Sequence, residues 1–151
     1  MMARSSRLIR SKLCPTSPYR PRSVEIVGAA LAQVASQPLE IAIRRIIAVA
    51  IEAHRVDPRL HRVVAEQIPR SGRLENVEAF NRRYFAFFRG YLEAHRNEIR
   101  RVDLDLAAFV CVTCIEAVTH SAVLHHSEML SDDGAAALSD ETTSLIVGYL
   151  A

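Results

Sequence analysis

The sequence predicts an all-α fold, a helical bundle of about six helices, and three observations carry that prediction. Ala, Leu, Ile, Val, Glu and Arg fill most of the chain, glycine is held to five residues and tryptophan is absent, a composition that favours helix. Apolar residues recur with a 3.6-residue period in one segment after another. Helix-start residues fall between those segments, at Ser23, Pro38, Asp57-Pro58, Asp103 and Ser131. The 151 residues suit one domain. A domain of this length buries about 70% of its unfolded-chain surface and needs no covalent staples.

Residues 1–22 read as a flexible basic tail, and residues 23–151 as the helical domain. The tail holds Arg4, Arg7, Arg10, Lys12, Arg20 and Arg22 with no acidic residue, and Pro15, Pro18 and Pro21 oppose a helix there. The remainder carries 13 basic and 17 acidic groups, so the body is mildly acidic and is no nucleic-acid-binding globule. Ser23 caps a first helix to about Ser36, with Val24, Val27, Leu31 and Val34 on one face. Pro38 opens a second, Leu39 to about Arg55, with Ile43, Ile46, Ile47, Ala50 and Ile51 inward. Asp57-Pro58 starts a short third helix that stops at Pro69. A long fourth runs from about Leu74 to Ile99, with an inner stripe of Val77, Phe80, Tyr84, Phe87, Phe88, Tyr91 and Leu92. Asp103 caps the fifth, and Ser131-Asp132-Asp133-Gly134 leads into a last helix to Tyr149.

The fifth segment, Asp103 to His126, holds Cys111 and Cys114 followed by Glu116 and His120. Three cysteines, an odd number, do not make a disulfide framework. They suit a reducing compartment, so the expected location is cytoplasmic. The N-terminus lacks the apolar core of a secretory signal, and no run reaches the roughly 18 uncharged apolar residues of a membrane span. A zinc site needs about four ligands, and no second Cys-x-x-Cys exists. A redox pair belongs at a helix N-terminus, which lowers a thiol pKa, whereas this pair lies mid-helix. Small buried side chains are the default reading. A small metal- or thiol-dependent protein built on Cys111, Cys114, Glu116 and His120 is the alternative. No Ser-His-Asp order, phosphate loop or paired-carboxylate spacing offers a catalytic case. No cofactor, metal or enzymatic activity is expected.

The same helix is apolar on more than one stripe, which demands burial nearly all round. Its small or slim residues Ala107, Ala108, Cys111, Ala117, Val118, Ser121 and Ala122 would admit another backbone closely. The last helix, with Leu138, Leu145 and Ile146, is expected to pair with it. Two such helices from each of two chains would build an isologous four-helix interface, which predicts a homodimer.

Two stretches carry a resemblance. His54-Arg55-Val56-Asp57-Pro58-Arg59-Leu60-His61-Arg62-Val63 with Gln67-Ile68-Pro69-Arg70, and Asp105-Leu106-Ala107-Ala108-Phe109 running into Ile115-Glu116-Ala117-Val118-Thr119-His120, resemble the C-terminal regulatory domain of TetR-family transcriptional regulators. The likeness spans about residues 24–151. The family's N-terminal helix-turn-helix, with its Thr-rich start, Ile-Ala pair, turn glycine and Tyr-Phe pair, is not found in residues 1–22. The resemblance implies a ligand-sensing, dimerising module that reaches DNA only through a missing or partner-supplied helix-turn-helix. It also implies a cavity for a small apolar ligand, walled by Ile47, Ile51, Phe80, Tyr84, Phe87, Phe88, Tyr91 and Ile115, with Tyr84, Glu116, Thr119 and His120 as its polar groups. An aromatic stripe at helical spacing also makes a filled core, and the sequence leaves the two open.

Overall fold

The computed structural model describes residues 29–30, 32–56, 58–59 and 74–151. The expected basic tail, the start of the Ser23 helix and nearly all of the Pro58–Pro69 helix lie outside these residues. Residues 29–30 and 32–34 are helical and turn at 35–36, with Ala30 and Val34 buried. Four longer helices follow: α1 (Leu39–Arg55), α2 (Leu74–Ala94), α3 (Leu104–His125) and α4 (Asp132–Leu150). Short 3-10 turns at Arg96–Glu98 and Ser127–Leu130 join the last three. No strand occurs among the described residues.

Helix α1 starts at Pro38, which sits at the N-cap with φ −54° and ψ 152° and offers no side-chain acceptor. Glu98 supplies one from across the fold: its Oε2 accepts the Leu39 N–H at 3.3 Å. Glu40 in the first turn and His54 and Arg55 in the last suit the helix dipole. Leu39, Ala42, Ile43, Ile46, Ile47 and Ile51 turn inward at the expected period.

Side chains on α2 are described from Arg82 onward. Tyr84, Phe88, Tyr91 and Leu92 are buried, and Phe85 and Phe87 pack half-buried against the same core. The helix stops at Ala94 rather than running to Ile99. The His95 ring stacks on Tyr91 at 4.2 Å and its Nδ1 donates to the Tyr91 carbonyl at 3.1 Å. The chain then tightens into the 3-10 turn and leaves with Ile99 extended and buried. That early stop is what brings Glu98 back to the start of α1.

Asp103 caps α3 as its sequence position implies, accepting the Leu106 N–H at 2.9 Å. Ser131 caps α4 in the same way through the Gly134 N–H at 3.2 Å. Gly134 is fixed by space: a Cβ there would lie 2.9 Å from the backbone of Glu128 and Met129 in the preceding turn.

Helix α3 packs on both α1 and α2, and α4 lies principally along α1. The expected pairing of the last helix with α3 is therefore corrected: α4 makes its main contact elsewhere. Arg44 with Asp140 and Arg55 with Asp132 pin α4 to α1, and Arg89 bridges α2 to α3 through Asp105 at 3.0 Å. These pairs are exposed and set orientation more than stability. One contiguous core runs through all four helices, centred on Ile43, Ile47, Phe88, Leu92, Ile115, Ile146 and Leu150. Buried hydroxyls are satisfied within their own helices: Thr119 donates to Ile115 at 2.9 Å and Thr143 to Ser139 at 2.7 Å.

The expectation that α3 is buried all round is also corrected. Leu104, Ala107, Ala108, Cys111, Val112, Ile115, Thr119, Ala122 and Val123 face the core. The opposite flank leaves Leu106 55% and Phe109 57% exposed, with Thr113, Ala117 and Ser121 open beside them. By length and composition α3 also meets the measure of a bilayer span, which the sequence reading did not assign to any segment. Asp105 and Glu116 interrupt it, and its inward face belongs to the core of the bundle.

Candidate functional site

The end of the core where α1, α2 and α3 meet gathers the polar groups. Helix α1 contributes Ile47, Ile51 and His54 on one face, at spacings of four and three residues. Helix α2 contributes Tyr84, with Phe87 and Phe88 a turn further on. Helix α3 contributes Ile115, Glu116, Thr119 and His120. Ile47, Ile51, Tyr84, Phe88, Tyr91 and Ile115 all belong to the continuous core, and Thr119 is buried beside them. Phe87 and Glu116 are half-buried and His120 is exposed. The Phe80 side chain lies outside the described residues.

The polar members differ in what they are already committed to. Tyr91 donates its hydroxyl to the Gln37 carbonyl at 2.9 Å, a tie between α2 and the turn before α1. Thr119 spends its hydroxyl on its own helix, at 2.9 Å to Ile115 and 3.1 Å to Glu116. Tyr84 is held protonated well above the usual tyrosine range, first by burial and then by the nearby Glu116 carboxylate. Burial pushes the Glu116 carboxyl up as well. Among the described residues Glu116 forms no salt bridge. The other carboxylate on that flank of α3, Asp105, is paired with Arg89.

The sequence reading missed His54. Its ring lies 5.1 Å from that of His120, centroid to centroid, and its Nδ1 reaches the Ala50 carbonyl at 2.7 Å. A carbonyl only accepts, so Nδ1 carries the hydrogen. The spacing Ile47, Ile51, His54 was the available signal, since it puts His54 on the core-facing stripe.

Cys111 is fully buried and its thiol is pushed up to about 12, chiefly by desolvation and then by Cys114. Both thiols are free. No group of three or more His, Cys, Asp or Glu residues with metal-holding geometry occurs among the described residues. Of the residues proposed for an interface, Ala107, Ala108, Cys111, Ala122 and Ile146 are turned into the chain's own core. Ala117, Ser121 and Leu145 are exposed, and Val118 and Leu138 are half-exposed.

A family model described as "Tetracyclin repressor-like, C-terminal domain" matches residues 38–150. The chain belongs to that family, the regulatory-domain family of TetR-type transcriptional regulators. No curated protein and no solved structure matches it.

Proposed function

We propose that this chain is a non-catalytic, cytoplasmic regulatory domain that senses a small apolar ligand and works as a homodimer. The observation that carries the sensing role is the end of the core between α1, α2 and α3, which holds the buried Tyr84 and Thr119 and the half-buried Glu116 among mostly apolar residues. Such groups fix the orientation of a ligand whose bulk is held by apolar contact. A ligand lodged between α1, α2 and α3 would favour one packing of those helices over another. In a TetR-type regulator that choice sets the spacing of the DNA-reading heads.

The uncovered flank of α3 supports the dimer. Leu106 and Phe109 stand open on it, with the small Ala117 and Ser121 further along. Leu145 on α4 is the other large apolar side chain left open by these two helices. The domain itself has no expected sequence-specific DNA contact. A gel shift showing tight, salt-resistant binding to one sequence would overturn that part.

Thermal unfolding of the full chain against a panel of small apolar compounds tests the sensor. A ligand of this site raises the Tm of the wild type and loses that effect in Tyr84→Ala. A Tyr84→Ala chain that is less stable yet responds to the compound as the wild type does would make the ring filled core and remove it from the site.

A further inference from the structure

The stretch before α1 is held to the bundle by little apolar surface. Among the described residues there, only Ala30 and Val34 are buried, and neither is large. Residues 35–38, between the buried Val34 and Leu39, are all exposed and lie in no helix. Pro38 among them brings no N–H and no side-chain cap for α1. Exposed residues that end one helix and start the next are where a chain absorbs a change of backbone angles, so 35–38 has the makings of a hinge.

Two side chains from the far end of α2 and the turn after it close on this hinge. Tyr91 donates its hydroxyl to the Gln37 carbonyl at 2.9 Å, and the Leu39 N–H donates to Glu98 Oε2 at 3.3 Å. One bond grips each side of Pro38. The His95 ring, stacked on Tyr91 at 4.2 Å, backs the phenol. The gripping side is itself tied down. Tyr91, Leu92 and Ile99 are buried in the core. The Arg100 N–H donates to the Leu150 carbonyl at 2.9 Å, and Arg101 donates through Nε to the Tyr149 carbonyl with its guanidinium 4.3 Å over the Tyr149 ring. The gripped side is therefore the part left to move.

We propose that Tyr91 and Glu98 form a clasp over a hinge at residues 35–38. When the clasp opens, the helical stretch ending at Val34 swings off the bundle, while α1 from its second turn onward and α2 to α4 stay intact. The Leu39 N–H turns with the Pro38 ψ, so a swing there breaks the bond to Glu98 as well as the bond to Tyr91. Segments with few buried apolar contacts open locally at a lower free energy than the core, and here two polar bonds set that free energy. The device stands independently of the ligand-sensing role.

Amide exchange in the full chain, followed by NMR across a series of low urea concentrations, reads the hinge. Leu39 and Gln37, whose N–H donates to the Val34 carbonyl at 3.0 Å, are the reporters, and the buried Ile46 and Ile47 of α1 are the reference. In the wild type the reporters are expected to exchange through an opening with a smaller urea slope than the reference, because it exposes less surface. Tyr91→Phe and Glu98→Ala should each speed reporter exchange by that route about fivefold. Glu98→Gln keeps an acceptor oxygen and should stay near the wild type. Asp140→Asn, which alters the Arg44 pair between α1 and α4, should leave the reporters unchanged. Reporters that share the urea slope and free energy of Ile46 and Ile47 would overturn the proposal, since the stretch then opens only with the whole fold. Reporters without protection in the wild type, or indifferent to both Tyr91→Phe and Glu98→Ala, would overturn it too, because the clasp then holds nothing. Glu98→Gln as fast as Glu98→Ala would overturn the part given to Glu98.

Discussion

The Tyr91 phenol donates to the Gln37 carbonyl at 2.9 Å, joining positions 54 apart in the chain. Beside it, Glu98 caps the first N–H of α1 and the His95 ring stacks on Tyr91. Tyr91 thus holds the end of α2 against the start of α1 and has no hydroxyl hydrogen left for a ligand. Tyr91→Phe should cost about 1 kcal/mol in urea unfolding, the net worth of one such bond. It should leave the response to any ligand that depends on Tyr84 unaltered. A Tyr91→Phe chain that keeps its stability but loses ligand response would return Tyr91 to the binding wall.

The two thiols of α3 differ in a way that separates a packed helix from thiol chemistry. Cys111 is fully buried and its thiol sits at about 12, whereas Cys114 is half-buried. The thiolate is the reactive form, so native Cys111 should resist iodoacetamide at pH 8 and react fully only in denaturant. Peptide mapping after a timed pulse reads this directly. Rapid native alkylation of Cys111, or stoichiometric zinc in the purified protein, would revive the thiol- and metal-dependent alternative.

Much of this was legible in the sequence because it depended on local chemistry. The caps at Asp103 and Ser131 and the inward faces of α1 and α2 follow from residue type and a 3.6-residue period. Helix α3 was the opposite case. Its apolar residues cover more than one stripe, so periodicity could not say which flank met its own bundle. Its small residues Ala107, Ala108, Cys111 and Ala122 read as a seam for a second chain, yet they let α1 and α2 approach within the same one. The premature end of α2 and the pairs Arg44–Asp140 and Arg55–Asp132 depend on partners far along the chain. So does the His54–His120 contact, which no local pattern encodes.

Phe109 is 57% exposed on the flank of α3 that faces away from the core. A large aromatic left open beside Leu106 is the centre of the proposed dimer surface. Size exclusion with light scattering at low micromolar concentration should give a dimer for the wild type and a monomer for Phe109→Glu, because the change sets two like charges into an apolar interface. The helical circular dichroism of Phe109→Glu should match the wild type, since the side chain lies outside the core of its own subunit. A wild-type chain that runs as a clean monomer would remove the dimer. A Phe109→Glu chain that remains dimeric would move the interface off this flank of α3.

Glu116 gives the fold a pH dependence of unusual sign. Burial raises its carboxyl above the ordinary glutamate value in the folded chain, while the unfolded chain titrates near about 4.3. Between those two values the folded state holds more protons than the unfolded one, so stability falls as pH rises. The contribution is fully present below the unfolded pKa and is lost as pH climbs through the folded one. Paired carboxylates do the reverse. Glu116→Gln fixes the neutral form at every pH, so it should be more stable than the wild type at pH 7, and the gain should fade as pH falls through the folded pKa and be gone below about 4.3. Urea midpoints for both chains at pH 4, 5, 6 and 7 measure the difference. If the two chains keep a constant difference across the series, the Glu116 carboxylate is well solvated in the folded chain and leaves the set of polar groups at this end of the core.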